Sequence, residues 1–309
     1  MVDSSYQTCH DDDYVIMNGF PMNTTKRDRI LWALTCLFAA FAVLKATPVL
    51  DSVRVLIPVI SILVPTTFAL IHGQRRLGAR TMLVFFVITF AISWTMESSS
   101  IATGFPFGHY HYTDNLGPKL GTVPLLIMPA YFSMCYLSWN LAHVLLDKFN
   151  QDADRLQILA VPVLAAFIMV MWDLCMDPSR ATVKQAWIWH DGGSYFGVPF
   201  VNFMGWYLTV YLIFQIFALV QSKYSTTSSH HPVDDLRAGW MLNVGFYFAT
   251  FLEFVAVAAF GSDHPVTDPA GVVWSTGSMY ESLGLVSIFT MGFVSVLAYF
   301  KIHHSTALQ

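Results

Sequence analysis

The strongest constraint on this chain is a row of apolar stretches, at residues 30–47, 53–72, 80–101, 122–146, 155–176, 200–221, 237–260 and 280–300. Each is close to the ~20 residues that a helix needs to cross the hydrocarbon core of a bilayer. In that core every backbone N–H and C=O must be satisfied within the segment, so such stretches fold as helices. Composition points the same way: 55% of the residues are hydrophobic and 12% charged, about half the ~25% charged fraction of a soluble domain. The expectation is an all-α, polytopic integral membrane bundle of about eight transmembrane helices. Pro58 and Pro65 fall inside the second stretch, where neighbouring helices must satisfy the carbonyls they free. No internal repeat or second domain is visible. Residues 1–29 read as a polar tail, 30–301 as one transmembrane domain and 302–309 as a second tail.

Charge sets the expected orientation. With eight spans, both tails and the even-numbered loops share one side, which carries eleven Lys and Arg residues, whereas the other side carries five: Lys45, Arg54, Lys119, Arg180 and Lys184. The richer side is expected to be cytoplasmic, so both termini lie there and the two longest loops face away from it. No cleavable signal sequence is visible, so the first span is expected to target the chain. Asp11-Asp12-Asp13 reads as solvated tail, and residues 222–235, with His230-His231, as a cytoplasmic loop. The net charge of −4 leaves no basic footprint for nucleic acid. Cys9, Cys36, Cys135 and Cys175 form no CxxC pair, which argues against a disulfide framework or a structural zinc. Walker and Rossmann glycine patterns, a DDxxD run and HxxxH boxes are missing. His109-Tyr110-His111 offers two alternating imidazoles and no third ligand, so neither metal nor cofactor is expected. Lys45 lies near the end of its span, where it can snorkel to the interface. His143 reads as a polar packing residue.

The chemistry concentrates in the two long non-cytoplasmic segments, residues 97–124 and 173–206, which are dense in Gly, Pro and aromatics. Their Gly and Pro imply tight, fixed turns. Phe105, Phe107, Tyr110, Tyr112, Trp187, Trp189, Tyr195 and Phe196 cluster more tightly than an interfacial aromatic belt requires. Glu97, Asp173, Asp177, Glu253 and Glu281 lie within or at the outer ends of spans. There an ionisable group costs at least ~2.5–3.5 kcal/mol and is a functional candidate by default. Asp173 and Asp177 are four apart, so a continuous helix puts both on one face. The ordinary alternatives are an acid paired with Arg180 or Lys184, or an Asp177 that ends its helix before Pro178. An acid, a base and aromatic walls together suit carbocation chemistry on an alkene: the acid protonates the double bond, ring faces stabilise the cation, and the base activates water or removes a proton.

At these two segments the chain resembles the membrane carotenoid hydratases, the family of bisanhydrobacterioruberin hydratase and γ-carotene hydratase-like carotenoid biosynthesis proteins. The first block runs from Glu97 through Thr103-Gly104-Phe105-Pro106-Phe107-Gly108 and Tyr110-His111-Tyr112 to Leu116-Gly117-Pro118 and Val123-Pro124. The second holds Asp173-Leu174, Asp177-Pro178, Trp187-Ile188-Trp189, Gly193, Tyr195 to Pro199, Asn202-Phe203 and Gly205-Trp206. The likeness covers residues 94–206; beyond it the flanking spans agree only in hydropathy. Ser98-Ser99-Ser100 stands where the family pattern has a more glycine-containing stretch, and the polar tail and the long loop at 222–235 look extra. The resemblance implies a cofactor-independent enzyme that adds water across the terminal double bond of an apolar isoprenoid or carotenoid and yields a tertiary alcohol. It implies Glu97, Asp173 and Asp177 as acid and base, and the aromatics with Asn202 as the substrate wall, to which Glu253 and Glu281 are added from their places in the spans. Two other readings stay open. A membrane terpene cyclase begins with the same protonation but closes a ring. A proton-coupled transporter also uses intramembrane acids, although the repeat halves common in transporters are not visible.

Overall fold

The computed structural model describes residues 14–17, 20–23, 26–149, 154–224 and 233–308. Asp11-Asp12-Asp13, Cys9 and His230-His231 lie outside the described residues. The helices are α1 (Lys26–Leu44), α2 (Ile57–Leu77), α3 (Ala79–Thr103), α4 (Ile127–Leu145), α5 (Arg155–Pro178), α6 (Phe200–Tyr224), α7 (Val233–Phe260), α8 (Thr276–Ser287) and α9 (Phe293–His304). A π-helical turn, Ile288–Gly292, joins α8 to α9 into one rod. The described residues therefore hold eight helical rods, one at each apolar stretch.

Six of these rods are long and apolar enough to cross a membrane: α2, α3, α5 with the turn that extends it, α6, α7 and the α8–α9 rod. The other two depart for different reasons. α1 opens with Lys26-Arg27-Asp28-Arg29, so only 15 of its 19 residues form an uncharged run, shorter than the ~20 that a span needs. α4, also of 19 residues, carries Ser133, Ser138, Asn140 and His143, and 16 of its residues are buried. A helix buried on every side belongs in the centre. α4 indeed packs against α2, α3, α5, α6, α7 and α9, with α1 on α7, α5 on α6 and α7 on α8 around it.

Several boundaries move. Residues 48–56 form a short 3-10 segment, so Pro58 falls in the first turn of α2, where proline removes no hydrogen bond, and only Pro65 is interior. Within the expected amino-terminal tail, β1 (Tyr14–Met17) and β2 (Phe20–Asn23) pair as an antiparallel hairpin, and α1 starts at Lys26. The last helix runs to His304, so the expected carboxyl tail is largely a continuation of the rod. One end of the bundle is tied by ion pairs: Asp28 with Arg75, Lys148 with Asp154 and Lys301 with Asp147. Arg237 donates to the Leu308 carbonyl there at 3.0 Å. Cys36, Cys135 and Cys175 are free thiols.

Candidate active site

At the opposite end the two long loops meet. β3 (Tyr110–Tyr112) pairs antiparallel with β4 (Trp187–Trp189), placing Tyr110 opposite Trp189 and Tyr112 opposite Trp187. Side chains alternate across a strand, so the two tyrosines and two tryptophans turn inward while His111 turns out and meets His190 at 2.9 Å. The turn that launches β3 is held by two devices. Gly104 ends α3 at φ +81°, a conformation glycine adopts without cost. Ser100 Oγ then accepts from the Phe107 N–H at 3.0 Å and donates to the Gly108 carbonyl at 2.9 Å. Gly205 of α6 lies against this turn, and a Cβ there would come to 2.5 Å from the Pro106 carbonyl oxygen.

Glu97 ends up buried near the outer end of α3 under three phenols. Tyr110 and Tyr112, the latter at 2.8 Å, donate to Oε2, and Tyr131 of α4 donates to Oε1 at 2.7 Å. Burial, with the Glu97 carboxylate beside them, pushes the Tyr110 and Tyr112 hydroxyls well above the ordinary phenol range. The Tyr131 ring stacks on Trp206 with centroids 4.4 Å apart. On α5, Asp177 accepts from Trp187 Nε1 at 2.8 Å and from Asn202 Nδ2 at 2.5 Å. Asn202 reaches Asp173 only at 3.4 Å, and among the described residues Asp173 Oδ1 has no hydrogen-bond partner.

These groups enclose a cavity of about 570 Å³ whose wall includes Glu97, Tyr110, Tyr112, Tyr131, Asp177 and Trp187. A volume of this size suits a small-molecule ligand. Phe107, Trp189 and Asn202 also line it; Phe38, Pro58, Ile62, Pro65 and Ile127 form an apolar side, and Asp114, Asn115, Arg180, Lys184 and Glu253 a polar one. The geometry can therefore present two carboxyls and several ring faces to an apolar molecule.

Five sequence candidates, Phe196 among them, do not line it. Asp173 is fully buried one helical turn from Asp177, off the cavity wall. Phe105 is 60% exposed at the tip of its turn. Tyr195 packs on Phe196 and Phe203 away from the wall. Glu281 is exposed because α8 buries Thr276, Met279, Tyr280, Leu283, Gly284 and Ser287, a helical stripe from which position 281 falls off. Glu253 does line the cavity, but as an ion-pair partner of Lys45 at 2.5 Å and Arg180 at 3.0 Å. Lys45 therefore turns inward, its side chain 2% exposed, instead of snorkelling, and Arg180 does not pair with Asp177. Tyr131 and Ser100 escaped the sequence reading. Tyr131 lies in a helix buried all round, where no periodicity singles out a residue, and Ser100 stood out only as a departure from the family pattern. His143 packs as expected, pairing through Nδ1 with the Trp139 carbonyl at 2.8 Å and through Nε2 with Gln157 at 3.1 Å.

Known proteins share part of this sequence. Over 190 residues the chain is 26% identical to the bisanhydrobacterioruberin hydratase of Haloarcula japonica, an alignment that covers 59% of this chain and 60% of that protein. The chain thus spans about three-fifths of the length of this curated relative. No solved structure matches it. The sequence profile of the carotenoid biosynthesis proteins matches residues 54–269, which carry both long loops and every wall residue from Val55 to Glu253. The chain belongs to the carotenoid biosynthesis protein family.

Proposed function

We propose that this protein is a cofactor-independent membrane hydratase that protonates the terminal double bond of an isoprenoid or carotenoid and adds water to give a tertiary alcohol. The observation that carries the reading is a cavity into which Glu97 and Asp177 both open, with the Tyr110, Tyr112 and Trp187 rings in the same wall. Asp173 and Asp177 hold one proton between them, and Asp177, the one on the wall, delivers it to the less substituted alkene carbon. The new C–H bond leaves a tertiary cation on the neighbouring carbon, facing aromatic rings that attract positive charge. Glu97, fixed by three phenol donors, takes a proton from water as the water oxygen bonds to the cation. One water is added overall, and solvent exchange returns the proton to the aspartate pair.

The same reading makes all eight rods membrane crossings, with residues 30–301 as the catalytic domain between a tail at 1–29 and another at 302–309. Both termini face the cytoplasm and the cavity opens toward the other side, as the eleven-to-five division of Lys and Arg supports. The polyene arrives from the bilayer and water from the aqueous face. The test is to incubate membranes containing the protein with acyclic polyenes in heavy-oxygen water and weigh the products. Gain of one labelled water supports the hydratase. An isomer of unchanged mass assigns a protonation-initiated cyclase instead, and no product from correctly inserted protein returns the chain to the transporter reading.

A further inference from the structure

The chemistry above leaves part of the cavity wall unused. There, three elements bring two cations onto one carboxylate. Lys45 follows α1, Arg180 sits in the π-helical turn Ser179–Val183 after α5, and Glu253 comes from α7. Glu253 Oε2 lies 2.5 Å from Lys45 Nζ, and its Oε1 lies 3.0 Å from Arg180 Nη2. All three side chains are at most 16% exposed. Lys45 is taken up by Glu253 and by Ser61 at 3.3 Å, and it stays off the cavity surface, whereas Arg180 and Glu253 lie on it.

Two features make this more than a tie between helices. On a regular helix, position 180 follows Asp177 by three residues and shares its face, so Arg180 would neutralise the aspartate. The π turn, a device that recurs at functional sites, carries it to Glu253 instead. Among the described residues Arg180 makes one hydrogen bond, through Nη2. A guanidinium has five N–H donors in a planar fork, so most of that fork remains for a ligand. A hydrocarbon has no group to offer.

We propose that Arg180, braced by Glu253, binds an oxyanion carried by the substrate, so that the ligand is an isoprenoid chain bearing a carboxylate or phosphate. This rests on the reading of the cavity as an isoprenoid site, and it narrows that site's substrate class.

The test is binding to the full chain in nanodiscs, read by tryptophan fluorescence. The probes are a C20 isoprenoid carboxylic acid, its hydrocarbon counterpart, inorganic phosphate alone, and discs with or without phosphatidylglycerol. The wild type should bind the acid about tenfold more tightly than the hydrocarbon, the scale of a charge-assisted hydrogen bond. Arg180→Met should erase that preference while hydrocarbon affinity stays within about threefold. If Arg180→Met does not insert, Arg180→Gln decides, because an amide keeps a polar contact to Glu253 and removes the charge, and it should lose the acid preference in the same way. Equal affinities in the wild type, or a preference that survives Arg180→Met or Arg180→Gln, overturns the proposal. So does Arg180-dependent binding of phosphatidylglycerol or of phosphate as tight as that of the acid, which assigns the cation to a lipid headgroup or a free anion. Labelled-water incorporation is scored separately. An acid preference without hydration sinks the hydratase and keeps this site, and hydration of hydrocarbon without a preference does the reverse.

Discussion

Two buried polar clusters occupy the two ends of this bundle. At the end tied by ion pairs, His72 meets the Tyr136 hydroxyl at 2.6 Å and the Gly239 carbonyl at 2.9 Å, Asn140 donates to Asn243 at 3.1 Å, and Arg76 lies 3.1 Å above the Trp240 ring. At the other end Glu97 and Asp177 are just as buried and just as rich in donors. The difference is where the groups turn. His72, Arg76, Asn140 and Asn243 are absent from the wall of the 570 Å³ cavity, whereas Glu97 and Asp177 open into it. A polar group inside a membrane-type bundle is thus no marker of chemistry by itself. One that keeps a free face toward a ligand-sized space is the kind we propose for chemistry.

Isosteric loss of charge tests that contrast most severely. Asp177→Asn and Glu97→Gln should each lower turnover by at least ~100-fold, the usual minimum for removing a general acid or base, with unfolding temperature retained because shape is conserved. Near-normal turnover in both variants would erase the functional difference between the ends. Tyr131→Phe should follow, since a hydrogen bond to a charged group contributes about 1.5–3 kcal/mol, or roughly tenfold or more in kcat. At the tied end, Asn140→Leu should strip Asn243 of its donor and cost about 1–3 kcal/mol of stability, measured by thermal unfolding, while turnover per folded molecule stays unchanged. A drop in turnover there would mean that the two ends are coupled. Trp187→Ala removes a ring face, worth about 1–2 kcal/mol of cation stabilisation, together with the donor to Asp177, and the loss is read from kcat with a substrate of fixed length.

Much of the fold was legible because hydropathy is a local property. Each rod lies on its apolar stretch, and the acids and aromatics of the two loops stand out by type alone. Burial of particular members was not legible. Glu281 and Glu253 look alike in the sequence, each a glutamate in an apolar helix, yet one is exposed and the other joins an ion-paired triad. Asp173 and Asp177 share a helix face, and only the position of Asn202 and the cavity separates them.

The amino-acid sequence by itself determined the number of rods, the charge asymmetry between their ends, and the presence of carboxyls at the helix ends beside rings in two loops that can pair. Those features depend on residues a few positions apart. The tertiary structure alone decided that Tyr131 joins Glu97 across 34 residues and that Arg180 joins Glu253 across 73. It also decided that Lys45 turns inward, and that a single π turn parts Arg180 from Asp177. The reason is physical: a hydrogen bond or ion pair needs its partners within about 3 Å, and only helix packing brings such distant residues that close.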